Sequence, residues 1–170
     1  MSLGLGTSIA TVAKGGGSIP ATPFTFTVDT TNAGSAADTF VLPLVLDGVI
    51  DMDVDWGDSS TDNITAYNDN AVTHVYAASG TYTIEITGTI RGWRFQNAGD
   101  VLKLTNVSNW GDFNFTVGRA FMGCKVATYT ATDTPSVNTT SMDRAFFWNY
   151  IADIDFTDWD MSGVTDFSYM

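Results

Sequence analysis

The chain has 170 residues and sets 7 Lys and Arg against 19 Asp and Glu, a net charge of −12. That balance argues against nucleic acid as a partner, because phosphate binding needs clustered cations. A single cysteine, Cys124, excludes an intrachain disulfide and reads as a small buried thiol. No apolar run is long enough to span a membrane.

Residues 1–21 read as an arm. Gly4, Gly6 and Gly15-Gly16-Gly17 disfavour a helix or a lone strand. Leu3, Leu5, Ile9 and Val12 supply some apolar grip. Two readings stand: a loose tail, or an anchor that orders only against a partner. The segment lacks the basic start and sustained apolar stretch of a secretory signal.

From Phe24 the pattern becomes that of strands. Phe24 to Val28 alternates large apolar residues with Thr. Thr39 to Leu44 follows, with Pro43 marking an edge or a bulge. Ile50 to Trp56 alternates strictly, which predicts Ile50, Met52, Val54 and Trp56 in the core and Asp51, Asp53 and Asp55 in solvent. Ala71 to Tyr76 and Thr81 to Ile90 complete the set. Short strands separated by turn signals predict an antiparallel β-sandwich over residues 22–92.

Beyond Gly92 the aromatics are scattered among Asn, Asp, Thr and Gly. Arg119-Ala120-Phe121 recurs as Arg144-Ala145-Phe146, and Thr132-Asp133 as Thr157-Asp158, both at an offset of 25 residues. Self-similarity at a fixed offset predicts a solenoid over residues 93–170, in which each unit buries its apolar face on the next. Such a short array, without a cap after Met170, is expected to continue in a longer protein.

Val54-Asp55-Trp56-Gly57-Asp58-Ser59, with His74-Val75-Tyr76 and Gly80-Thr81-Tyr82, resembles the polycystin-type (PKD) immunoglobulin-like domain. It departs from that family at Ser59, where Gly is usual. Phe156 to Met170, with its Trp159-Asp160 and Val164-Thr165-Asp166, resembles the BspA-type leucine-rich repeat. The resemblances imply an all-β chain, an immunoglobulin-like antiparallel sandwich followed by the start of a β-rich solenoid, and non-enzymatic adhesion or scaffolding. Both families usually work outside a cell, yet no export signal is legible. A phage virion protein of fibre or decoration type, assembled in the host cytoplasm, reconciles the two. Its partners would be other virion proteins, through residues 1–21, and a host-surface glycan or protein, and a homo-oligomer is expected. The alternatives are a fragment of a bacterial surface adhesin, located on the cell surface, and a carbohydrate-active hydrolase.

Candidate site residues follow from the same motifs. Asp51, Asp53, Asp55 and Asp58, with Asp62 beyond, invite a calcium reading, since alternate oxygen ligands open an EF-hand loop. Against it, Trp56 stands where that loop needs Gly, and a strand is too straight to wrap an ion. The competing reading is a solvated strand face with Asp58 bonding turn amides. Trp56, Gly57, Asp58, His74, Tyr76 and Tyr82 form a structural hairpin set, with the His74 ring expected on the acidic turn. His74 is the only histidine, and no catalytic nucleophile and base are legible beside it. No cofactor other than calcium is suggested. Trp110 and Trp148 are candidates for glycan contact if exposed.

Overall fold

The computed structural model describes residues 21–149 and 154–170. The arm expected over residues 1–21 lies, apart from Ala21, outside them. The described chain is almost entirely β, with ten strands and one short 3-10 turn. Among the described residues no helix is long and apolar enough to cross a membrane.

The strands are β1 (Phe24–Asp29), β2 (Thr39–Val41), β3 (Asp51–Asp55), β4 (Thr61–Ile64), β5 (Thr73–Val75), β6 (Thr81–Thr89), β7 (Leu104–Asn109), β8 (Asn114–Phe115), β9 (Thr128–Tyr129) and β10 (Ser136–Val137). A six-stranded sheet runs β4-β3-β6-β1-β7-β9, and two small sheets pair β2 with β5 and β8 with β10. Alternation in the sequence decides which faces are buried. Phe24, Phe26 and Val28 of β1 and Met52 and Val54 of β3 are buried, while Asp51, Asp53 and Asp55 are exposed. Each large side chain so buried contributes about 1.5–3 kcal/mol of transfer free energy.

Two expected strands are shorter than their apolar patterns. β2 ends at Val41, because Pro43 has no N–H to donate to a ladder. Pairing resumes only as a single bridge from Leu44 to Trp93. In the segment from Ala71 to Tyr76, the Asp69 carboxylate accepts a hydrogen bond from the Ala71 N–H at 3.0 Å. That cap winds Asn70–Val72 into the 3-10 turn and leaves only Thr73–Val75 as strand.

Residue 92 marks a change of sequence texture, but the sheet runs across it. β1 pairs antiparallel with β6 on one side and antiparallel with β7 on the other. β9 then adds to β7 in parallel. The apolar core is equally continuous: the Phe24 ring lies 4.5 Å from that of Phe113 and 5.3 Å from that of Trp93.

From β7 onward, chain segments one repeat apart lie side by side. Phe95 N–H donates to Ala120 C=O, and Phe121 N–H to Ala145 C=O. Arg119 N–H donates to Asp143 C=O, and Arg144 N–H to Ser168 C=O. Side chains follow the same register, with Asn138 on Asn114 at 3.1 Å and Ser141 on Asp166 at 2.9 Å. The repeated phenylalanines Phe121 and Phe146 stack at 5.6 Å with 6° between their planes. The offset seen in the sequence therefore corresponds to lateral hydrogen bonding and ring stacking between successive copies.

Candidate functional site

The hairpin joining β3 to β4 is built by its own carboxylates. Asp55 accepts from Gly57 N–H at 2.9 Å, and Asp58 accepts from the Ser60 N–H at 3.0 Å and from the Ser60 hydroxyl. Both are Asx turns, which short acidic side chains make readily. Gly57 has φ 78°, and a Cβ there would stand 2.2 Å from the Thr83 carbonyl oxygen, so only glycine fits. Ser59, where the resembled family has glycine, is also left-handed at φ 76°. A non-glycine residue in that conformation costs roughly 1–2 kcal/mol.

An aromatic ladder backs the turn. Trp56 stacks on His74 at 4.6 Å, His74 meets Tyr76 edge-on at 4.4 Å, and Tyr76 stacks on Tyr82 at 3.7 Å. His74 Nε2 lies 2.9 Å from Asp58 Oδ2, joining β5 to the acidic turn. The Tyr76 hydroxyl donates to the Trp56 carbonyl at 3.2 Å, and Tyr82 donates to Ala78 C=O at 2.7 Å. Partial desolvation pushes the Asp58 carboxyl up, but hydrogen bonds from Ser60 and His74 outweigh it and hold the pKa at about 2, against an ordinary 3.8. Burial, and then the Asp58 charge, push the Tyr76 hydroxyl well above its ordinary value, so it serves as a neutral donor.

The carboxylates considered for calcium are separately employed. Asn63 donates to Asp53 at 2.9 Å and to Asp51 at 3.4 Å. Asp55 and Asp58 are committed to the turn, and Asp62 accepts the Trp56 indole N–H at 2.8 Å. Among the described residues no three acidic, His or Cys side chains converge as a metal group. This donor set does not fit calcium. Across the ladder, Thr89, Thr87 and Glu85 oppose Asp51, Asp53 and Asp55. No lysine relieves the row, and Glu85 adds a like charge.

The two tryptophans separate. Trp110 is a correction: it is 2% exposed and offers no face to a sugar. Its ring is enclosed by Phe113, Phe115, Phe121 and Trp159 at 5.2–5.8 Å. Alternation in an irregular segment gives no signal for this, because ring partners come from three later turns of chain. Trp148 is 53% exposed. It stacks on Phe147 at 5.0 Å, with the Lys125 ammonium 5.7 Å from its ring. Cys124 is fully buried, and burial pushes its thiol up, away from the reactive thiolate.

One constellation has no sequence signature. Asp100 and Lys103 are both buried, the latter completely. The Lys103 ammonium donates to the carbonyls of Ala36 at 2.7 Å and Thr39 at 2.6 Å and to the Ser35 hydroxyl at 3.0 Å. Asp100 accepts from the Ser35 hydroxyl at 2.8 Å and the Val41 N–H at 2.7 Å. The pair, 3.8 Å apart, ties the loop before β2 to the segment leading into β7. At i, i+3 in a polar stretch it looks like an ordinary surface pair; only the fold shows that it is enclosed.

Comparison with known proteins gives no relative: no protein-family model, curated protein or solved structure matches the chain.

Proposed function

We propose that this chain is a non-enzymatic structural protein of a phage virion, of fibre or decoration type. Residues 22–92 form a PKD-like immunoglobulin sandwich, and residues 93–170 begin a BspA-type repeat array. Residues 1–21 attach it to the particle, and the β modules are displayed for contact with a host-surface glycan or protein. The fold of each part is read by its resemblance, and the link from fold to role is an analogy.

The observation that carries the reading is the sheet shared across residue 92. β1 pairs with β6 of the first part and with β7 of the second, over a common aromatic core. A module so fused to a repeat array transmits position from one end to the other without a hinge, as a spacer and display element requires. The acidic hairpin, its carboxylates committed to the turn and its indole, then serves rigidity rather than chemistry.

Immunogold labelling tests the proposal. Antibodies raised against residues 24–109 should decorate intact phage particles from the source. Labelling of bacterial envelopes and not of particles would overturn the virion assignment in favour of a surface adhesin. Glycan turnover by the purified chain, lost in Asp55→Asn, would overturn the non-enzymatic assignment.

A further inference from the structure

We propose that Lys125, Trp148, Phe147, Tyr169, Arg144 and Arg119 form a binding strip for a sugar acid, a carboxylate-bearing residue within an otherwise neutral glycan. The inference rests on the display reading above and names the ligand class of that surface.

Three observations carry it. The first is charge. The whole chain has seven Lys and Arg, and three of them stand on this strip. Arg119 Nε donates to Asp143 Oδ2 at 3.1 Å, and Arg144 donates to Asp143 Oδ1. Two guanidiniums share the Asp143 carboxylate, and Asp166 lies within reach of the Arg144 charge, so the three cations of the strip, Lys125 included, meet two anions and one positive charge is left over. Among the described residues no other side-chain acceptor engages their remaining N–H groups. The nearby Asp166 is itself bonded to Ser141 and Ser168.

The second is the alternation of cations with open rings. Arg144 lies 4.3 Å from the Tyr169 ring centre and Lys125 5.7 Å from that of Trp148. Phe147 bridges the two, 5.0 Å from Trp148 and 5.9 Å from Tyr169. Trp148 is 53% exposed. An aromatic face takes the apolar side of a pyranose, and a guanidinium fork takes a carboxylate in bidentate fashion.

The third is backbone strain. Arg119, Arg144, Trp148 and Tyr169 have φ of 64°, 51°, 61° and 55°, four of the seven left-handed non-glycine residues described. Trp148 occupies the place that Gly123, φ 89°, holds one repeat earlier. Glycine fits that conformation without strain, so the tryptophan is carried at a cost the fold does not require. Arg119, Arg144 and Tyr169 stand one repeat apart, so their conformation recurs with the repeat. Trp148 is the strained residue that the repeat does not call for, and its exposed side chain points to use.

The net charge of −12 selects the ligand further. A densely charged polyanion would be repelled by the chain as a whole, whereas one carboxylate on a neutral glycan meets only the local surplus of positive charge.

Saturation-transfer NMR on the full chain, comparing sialyllactose with lactose and methyl β-glucuronide with methyl β-glucoside, tests the site. The charged sugar of at least one pair should bind, with its neutral partner about tenfold weaker, as expected for loss of a charge-assisted hydrogen bond. Trp148→Gly should abolish binding without loss of thermal stability, since glycine suits that backbone. Arg144→Gln should remove the preference for the charged sugar. Equal response to charged and neutral members of both pairs, or a preference unchanged in Trp148→Gly, would overturn the site. Either result leaves the display reading to be decided by the labelling of particles.

Discussion

The β3–β4 hairpin and the repeat region are stabilised by different kinds of contact. In the hairpin, polar groups close on near neighbours: Asp55 on Gly57, Asp58 on Ser60, Trp56 on Asp62. In the repeat region, contacts join residues a full turn of chain apart, as Phe121 does with Phe146 and Asn114 with Asn138. The first arrangement is local, and a short motif can specify it. The second is cooperative, since each turn completes the one before it. The buried Lys103–Asp100 pair is a third kind of contact, a junction that ties the loop before β2 to the segment leading into β7.

The largest expected effect is at that junction. Lys103→Met removes one partner of an enclosed ion pair and leaves Asp100 uncompensated, which should cost about 3–5 kcal/mol in chemical denaturation. The same replacement at exposed Lys125 should stay within about 0.5 kcal/mol. Equal losses at the two lysines would show that the junction is not the critical tie.

A smaller effect separates the hairpin from the repeats. Gly57→Ala places a Cβ against the Thr83 backbone at a left-handed φ, and should cost more than about 1 kcal/mol. Gly163→Ala, with open space around it, should be close to neutral. Thermal unfolding of the two variants makes the comparison.

Acid should weaken the hairpin clasp in a defined window. The folded pKa of Asp58 is about 2 and its ordinary value 3.8. Its contribution is complete above about pH 4 and is lost as pH falls towards 2, since the unfolded state takes up the proton first. Asp58→Asn should flatten the stability–pH curve in that window. Among the described residues the remaining slope belongs to Asp155, Asp160 and Asp166, whose carboxyls are held low chiefly by hydrogen bonds from Thr157, Ser162 and Ser168, and to Asp143, which desolvation raises but the hydrogen bonds of Arg144 and Arg119 hold low. An unchanged curve would remove the clasp from the account.

The smallest expected effect is a gain. Glu85 faces Asp55 across β3 and β6, so Glu85→Lys should stabilise by about 0.2–1 kcal/mol at low salt and by less at high salt. Denaturation midpoints at two ionic strengths would show it.

Legibility in the sequence followed the range of the contacts. The strict alternation of Ile50 to Trp56 gave the buried and solvent faces of β3, because a strand's period is set by its backbone. The recurrence of Arg-Ala-Phe announced that Phe121 and Phe146 would occupy equivalent places, and they stack. Trp110 is less legible: Phe113 and Phe115 are near it in sequence, but the enclosure is completed by Phe121 and by Trp159, which no local pattern connects to it. Asp62 belongs to the acidic row that invites a calcium reading, but it accepts the indole N–H of Trp56 at the end of β3. Ala71 and Val72 read as strand until the Asp69 cap is taken into account.

By itself the sequence determined the β character of the chain, the polarity of its strand faces, the acidic turn and the 25-residue offset. These depend on backbone period and on neighbours a few residues away. Only the tertiary structure decided that β1 is shared between two sequence textures, that a lysine lies wholly buried, and that cations and open rings meet on one strip. Those outcomes depend on which distant segments come together to exclude water, and no residue's own neighbours carry that information.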